Sequence, residues 1–198
     1  MSIKKPAEMS LSFKPLTPAR WDDFEKLFGT RGACGGCWCM FWRTTHANFE
    51  RQKGAGNRRA MKKLVLAKKV PGVIAYHRGK PIGWCSLGRR EDFVRLETSR
   101  IFKPVDDRPV WSINCLFIAK DYRRSGISGQ LLAEATRYAA KKGARIVEGY
   151  PFERNKEKMP DPFVWTGLVS SYKKAGFVEV ARRSATRPVM RYYVDGKK

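Results

Sequence analysis

Residues 122–132 read YRRSGISGQLL, a glycine-containing turn between two very different runs of sequence. Before it, Val110 to Ile118 (VWSINCLFI) is almost continuously apolar, as a central strand buried on both faces must be. After it, Leu131, Leu132, Ala135, Tyr138 and Ala139 recur at helical spacing, Lys141 and Lys142 suit the negative end of the helix dipole, and Gly143 suits its C-cap. A strand that enters a helix through such a turn leaves unpaired backbone N–H groups at the positive end of the dipole, where a pyrophosphate can be held. Arg123 and Arg124 add positive charge at the same place.

On the N-terminal side, Ser12 to Leu16 reads as a first strand, and Thr17 and Pro18 open an amphipathic helix from Ala19 to Phe28. A glycine-rich loop follows. Asn57 is placed to cap a helix running to about Lys69. Gly72 to His77 and Pro81 to Leu87 flank a tight turn at Arg78, Gly79 and Lys80, which predicts a hairpin. Arg89 to Asp107 reads as charged and irregular. On the C-terminal side come a strand from Arg145 to Tyr150, a polar loop over Glu153 to Asp161, a short helix from Leu168 to Ala175 stopped by Gly176, and closing strands at Phe177 to Arg182 and Val189 to Val194. The order predicts a mixed α/β fold with a strand, helix, strand crossover at its centre. With 198 residues and 42% hydrophobic composition the default is one domain over 1–198, with flexible tails at about 1–10 and 196–198.

YRRSGISGQLL resembles the acyl-CoA-binding motif of the GCN5-related N-acetyltransferase (GNAT) superfamily, Arg/Gln-x-x-Gly-x-Gly/Ala, matched by Arg123, Gly126 and Ser128. Serine replaces the usual small apolar residue at the last position and is still compact. SYKKAGFVEV, residues 171–180, is similar to the superfamily's Tyr-x-x-x-Gly-Phe segment, about 45 residues further on. The resemblance implies a mixed, mostly antiparallel central sheet with a splayed parallel strand pair and flanking helices. It implies acetyl-CoA lying in the V between Val110–Ile118 and Arg145–Tyr150. Leu116, Phe117 and Ile118 would then meet the pantetheine arm, and Arg123, Arg124, Ser125, Gly126, Ile127, Ser128 and Gly129 the pyrophosphate. The acceptor amine would attack directly. Tyr172 matches the position that often protonates the departing thiolate. Many relatives carry a glutamate where Cys115 stands, so Glu148 on the partner strand is the substitute expected as base, with a surface salt bridge as its ordinary alternative.

Cys34, Cys37 and Cys39 fall in CGGCWC, and His46 could complete four zinc ligands, but no second CxxC half exists and strand geometry would point Cys37 and Cys39 apart. No metal is therefore assigned. The preferred reading makes residues 29–56 a Cys- and Trp-rich insertion near the acceptor site, with Trp38, Met40, Phe41 and Trp42 as an apolar plug. Five cysteines without a secretory signal suggest reduced thiols in a cytoplasmic protein, a monomer or homodimer without a membrane segment. Forty-one Lys and Arg against eighteen Asp and Glu give a formal charge of +23, scattered in doublets along the chain. Such a surface keeps a protein soluble and leaves a nucleic-acid partner open without favouring it. Lack of acidic clusters argues against polycationic acceptors. Beside the N-acetyltransferase reading stand a non-catalytic acyl-CoA binder of the same fold and a basic nucleic-acid-associated module.

Overall fold

A computed structural model describes residues 9–153 and 164–196, so the loop read over Glu153–Asp161 lies almost wholly outside the described residues, as do most of the expected tails. The strands are β1 (Leu11–Pro15), β2 (Gly72–His77), β3 (Lys80–Arg89), β4 (Trp111–Ile118), β5 (Ile146–Gly149), β6 (Val178–Arg182) and β7 (Pro188–Tyr193). The helices are α1 (Trp21–Phe28), α2 (His46–Arg51), α3 (Ala55–Leu66), α4 (Val94–Glu97), α5 (Ile127–Lys141) and α6 (Val169–Lys174). One sheet takes the order β1-β2-β3-β4-β5-β7-β6. Among the named strands of the described residues β4 and β5 pair in parallel and the other pairings are antiparallel. The mixed sheet with one parallel pair is the one the sequence implied.

Parallel pairing between β4 and β5 stops at Ile113 and Gly149, while β4 runs on to Ile118. The two strands therefore part, and a gap opens beside Leu116. One further irregularity shapes this gap. Against β3, Cys115 pairs with Ser86 but Ile113 with Leu87, leaving Asn114 as an extra residue. A bulge of this kind shifts the strict alternation of side chains. Ile113 accordingly packs beneath α5, whereas Cys115 turns to the opposite face.

α5 and α6 cover one face of the sheet through Leu131, Leu132, Ala135, Val169 and Tyr172. α1 and α3 cover the other, around fully buried Trp84, with Phe24 packed edge-on to its ring at 4.9 Å. The β2–β3 hairpin turns through Arg78 and Gly79, both at positive φ, which the glycine accepts without strain. Among the described residues no helix is long and apolar enough to cross a membrane.

Two expectations need correction. Asn57 does not cap α3; it lies in the helix's first turn, fully buried, and its Nδ2 donates to the carbonyls of Gly36 and Phe49. The side chain holds the glycine-rich loop and α2 against the helix. The segment 89–107 is not simply irregular, because Phe93, Leu96 and Phe102 form a third apolar cluster with Tyr150 and Val189.

Candidate active site

Arg123 and Gly126 stand where β4 gives way to α5. Arg124 and Gly126 both take left-handed φ values, 62° and 81°, which tighten the turn. The N–H groups of Ile127 and Ser128 open α5 and by helix geometry have no intrahelical acceptor. Arg123 Nε donates to the Ile118 carbonyl at 3.1 Å and Ser125 Oγ to that of Tyr122, so the turn is fixed by its own side chains. A cavity of about 440 Å³ lies over it, lined among others by Arg123, Arg124, Gly126, Ser128 and by Leu116, Phe117 and Ile118 of β4. Ser125 and Ile127 are buried beneath the turn and can offer only their main chain. Ser128 Oγ lies 3.2 Å from Ser171 Oγ, which ties α5 to α6 at the cavity wall. Gly129 lies in open space and is not among the lining residues. The surroundings suit an elongated, phosphate-bearing ligand.

A second cavity of about 250 Å³ adjoins the first and shares Ala33, Cys34, Leu116, Phe117 and Trp165 with it. Six aromatic residues line it: Phe28, Phe41, Trp42, Phe49, Phe117 and Trp165. Trp165 meets Phe41 edge-on at 5.1 Å and Trp42 at 5.7 Å, and the Arg95 guanidinium lies 3.8 Å from the centre of the Phe41 ring. Of the residues expected as an apolar plug, Phe41 and Trp42 line this cavity, whereas Trp38 and Met40 are buried and do not. The remaining lining includes Cys34, Cys37, Cys39, Cys115 and Lys53, and among the described residues no Asp, Glu or His.

The loop carrying the cysteines is not a strand. Ala33, Trp38 and Cys39 all have positive φ (67°, 43° and 59°), a conformation costing non-glycine residues of order 1–3 kcal/mol each. Packing holds it in place: Trp38 stacks on Phe28 at 5.8 Å, and Trp84 Nε1 donates to Cys39 Sγ at 3.1 Å. Cys34 is exposed, Cys37 Sγ donates to the Gly32 carbonyl at 3.5 Å, and Cys39 is buried. Among the described residues no three Cys, His, Asp or Glu side chains are gathered so as to hold a metal.

Glu148, expected as base, lines neither cavity. It is 1% exposed and both its oxygens are engaged: Oε2 by Arg191 Nε at 2.8 Å, Oε1 by Tyr150 Oη at 2.7 Å and Arg90 Nη1 at 3.2 Å. Arg191 also pairs with both oxygens of Asp106, and Arg90 donates to the carbonyls of Leu96 and Phe102. The carboxylate is the hub that fastens the segment 89–107 to the sheet. A carboxylate so placed is a salt-bridge partner, but a buried one and not the surface pair expected as the alternative.

Tyr172 is fully buried, its ring pressed against Gly149 and Gly167, where a Cβ would come within 2.1 Å and 3.0 Å of it. It lines neither cavity directly but stands behind Gly167, which does. Burial pushes the phenol well above its ordinary range, so it keeps its proton, and its hydroxyl has no hydrogen-bond partner among the described residues. The Leu116 N–H, one of the main-chain groups expected to meet the coenzyme, donates instead to the Trp165 carbonyl at 2.6 Å. Sequence reasoning missed that contact.

A family model described as the acetyltransferase (GNAT) family matches residues 38–160, more than half the chain. An uncharacterised N-acetyltransferase of Methanocaldococcus jannaschii is 33% identical over 101 residues, a match spanning 51% of this chain and 36% of that protein. The chain thus matches about a third of that relative's length. Among solved structures, a GNAT-family acetyltransferase of Listeria monocytogenes superposes with a TM-score of 0.58 at 7% identity, over 97% of this chain and 99% of the other. The PaiA N-acetyltransferase of Thermoplasma acidophilum, in complex with coenzyme A, superposes with a TM-score of 0.50 at 16% identity, over 93% and 99%. At such identities the likeness is one of fold.

Proposed function

The chain belongs to the acetyltransferase (GNAT) family, and from that premise we propose that it moves the acetyl group of acetyl-CoA directly onto a small primary amine carried by an apolar or aromatic group. The observation that carries the proposal is the joining of two unlike cavities across β4. One has a helix N-terminus and two arginines; the other is rich in aromatic rings. Leu116 and Phe117 belong to both, so a thioester lying there would face an amine held among the rings.

When bound, acetyl-CoA supplies an activated acetyl thioester. The chain's own residues do the rest. Main-chain N–H groups at Gly126, Ile127 and Ser128, with Arg123 and Arg124, hold the pyrophosphate. Phe117 and Ile118 flank the pantetheine arm; the Leu116 N–H becomes available only if the Trp165 carbonyl gives way to it. The rings exclude water and orient the amine. Tyr172, protonated and unpartnered behind Gly167, is assigned to protonate the departing thiolate. The lack of a carboxylate among the described residues of the wall supports the exclusion of polycationic acceptors, and the pocket's volume supports a small one.

Calorimetric titration of acetyl-CoA into the wild type and into Gly126→Glu tests the reading. The variant puts bulk and negative charge where the pyrophosphate should sit, and binding is expected to be lost. With binding shown, Tyr172→Phe should lower kcat and leave acetyl-CoA affinity unchanged. A wild type that does not bind acetyl-CoA refutes the proposal.

A further inference from the structure

A net charge of +23 scattered in doublets marks no surface by itself, but folding gathers part of it. At the start of β4 a cleft of about 560 Å³ is lined by Arg89, Arg108, Lys142 and Arg145, and Glu91 is the acidic residue of its wall among the described residues. The four cations come from the end of β3, the segment before β4, the end of α5 and the segment before β5, and all four are exposed. Little of their charge is cancelled in place. Arg89 and Glu91 lie 3.9 Å apart with side chains 68% and 70% exposed, a pair that water and salt screen. Arg108 is held by Asp106 at 2.8 Å, whereas Lys142 and Arg145 have no carboxylate partner among the described residues.

Trp111 opens β4 and stands half-buried in the wall of this cleft. It also lines an adjoining cleft of about 350 Å³, which shares Arg89 and Glu91 with the first and adds Lys69. Lys69 lies 3.9 Å from Asp92. Five of the six tryptophans pack against another aromatic ring, but among the described residues Trp111 has neither a ring nor a cation over it. An indole left without a ring partner between exposed cations suits a nucleobase, which stacks on it while the cations meet the phosphates on either side. An acidic side chain would satisfy the cations and make no use of the ring. Two clefts that meet at one indole fit a chain passing across it better than an isolated anion.

We propose that this end of the sheet binds single-stranded nucleic acid, with a base on Trp111 and neighbouring phosphates on Arg89, Arg108, Lys142 and Arg145. The cavity assigned to the coenzyme lies where β4 ends and α5 begins, whereas this cleft lies where β4 begins and α5 ends. The 15-residue helix sets the two roughly 20 Å apart. The proposal therefore does not depend on the acetyl-transfer reading. Stacking on Trp111 needs a base free of its own pairing, so a single strand should bind in preference to a duplex.

Fluorescence anisotropy of a labelled oligouridylate with the full chain, at low and at physiological salt, tests the proposal. Binding is expected at low salt and should weaken as salt is added. Lys142→Gln/Arg145→Gln removes two exposed charges that have no partner to strand. It should weaken binding and flatten the slope of log affinity against log salt by about 1.4, at about 0.7 for each phosphate contact. Trp111→Leu keeps an apolar residue on the strand and should weaken binding roughly 5–150-fold, the worth of one stacked base. Lys62→Gln/Lys63→Gln removes the same charge from α3 and should leave affinity nearly unchanged. Near-ultraviolet dichroism checks the fold of each variant. Oligothymidylate run in parallel tells whether DNA or RNA is preferred, and binding of either sustains the proposal. Equal weakening by the two charge-removing pairs, full-strength binding by a folded Trp111→Leu, tighter binding of a duplex, or no binding at low salt overturns it. Should Trp111→Leu not fold, the comparison of the two charge-removing pairs and of single strand with duplex still decides.

Discussion

Replacing Glu148 by glutamine removes a negative charge from between two buried guanidinium groups while keeping the side chain's length and one acceptor oxygen. Arg191 is 1% exposed and Arg90 8% exposed, so neither can turn to water for compensation. Breaking a buried pair from one side costs about 3–5 kcal/mol. Here the lower end applies, about 3 kcal/mol, because Arg191 retains Asp106 at 2.7 Å and Arg90 retains Glu97 at 3.3 Å. For a chain of this length that corresponds to a fall in Tm of roughly 6–12 °C. Urea denaturation followed by tryptophan fluorescence gives the free energy by linear extrapolation, and acetyl-CoA titration on the same sample checks that the folded variant keeps its site. The hub assignment predicts a large stability loss with acetyl-CoA binding intact. A variant within about 0.5 kcal/mol of wild type that binds acetyl-CoA yet transfers acetyl a hundredfold more slowly would refute it, and would restore Glu148 as the base.

Gly149→Ala would drive a methyl to within 2.1 Å of the Tyr172 ring, so the ring or the strand must move; a loss of about 1–3 kcal/mol is expected from such overpacking, with partial recovery in Gly149→Ala/Tyr172→Leu measured by the same denaturation. Asp106 governs acid stability. Hydrogen bonds from Arg191 first and then Arg108 hold its carboxyl well below the ordinary carboxylate range, against the effect of burial. A depressed folded value stabilises above the unfolded value of about 3.9 and is lost as pH falls through that region toward the folded value. Asp106→Asn should therefore be less stable than wild type near neutrality, and the gap should narrow as a pH series of urea melts moves into acid.

The elements legible in the sequence were those whose order comes from local pattern. The β2–β3 hairpin, β4, α5 and the closing strands were placed within a few residues, because alternation, a glycine turn and helical spacing are all local. What failed depended on distant partners. Asn57 looked like a cap because asparagine next to a helical run usually is one; the carbonyls of Gly36 and Phe49 draw it inward instead. Glu148 could have been flagged as a buried charge, since it sits between Val147 and Tyr150 on a strand read as central. Its partners Arg90 and Arg191 lie 58 and 43 residues away, and nothing in the sequence pairs them with it. Phe93, Leu96 and Phe102 were the overlooked signal that the charged stretch after β3 has an apolar side.

The candidate site shows the same division more sharply. The glycine turn proposed to hold phosphate could be read directly, because a helix N-terminus after a glycine is a local construction. The aromatic pocket beside it could not, because two non-local irregularities build it. A bulge at Asn114 turns Cys115 onto the α1 face, and a loop strained at Trp38 and Cys39 presents a second sulfur there. Each distortion depends on partners distant in sequence: Cys115 is set opposite Ser86 of β3, and the strained loop is held by Trp38 stacked on Phe28 and by the Trp84 indole N–H on Cys39 Sγ.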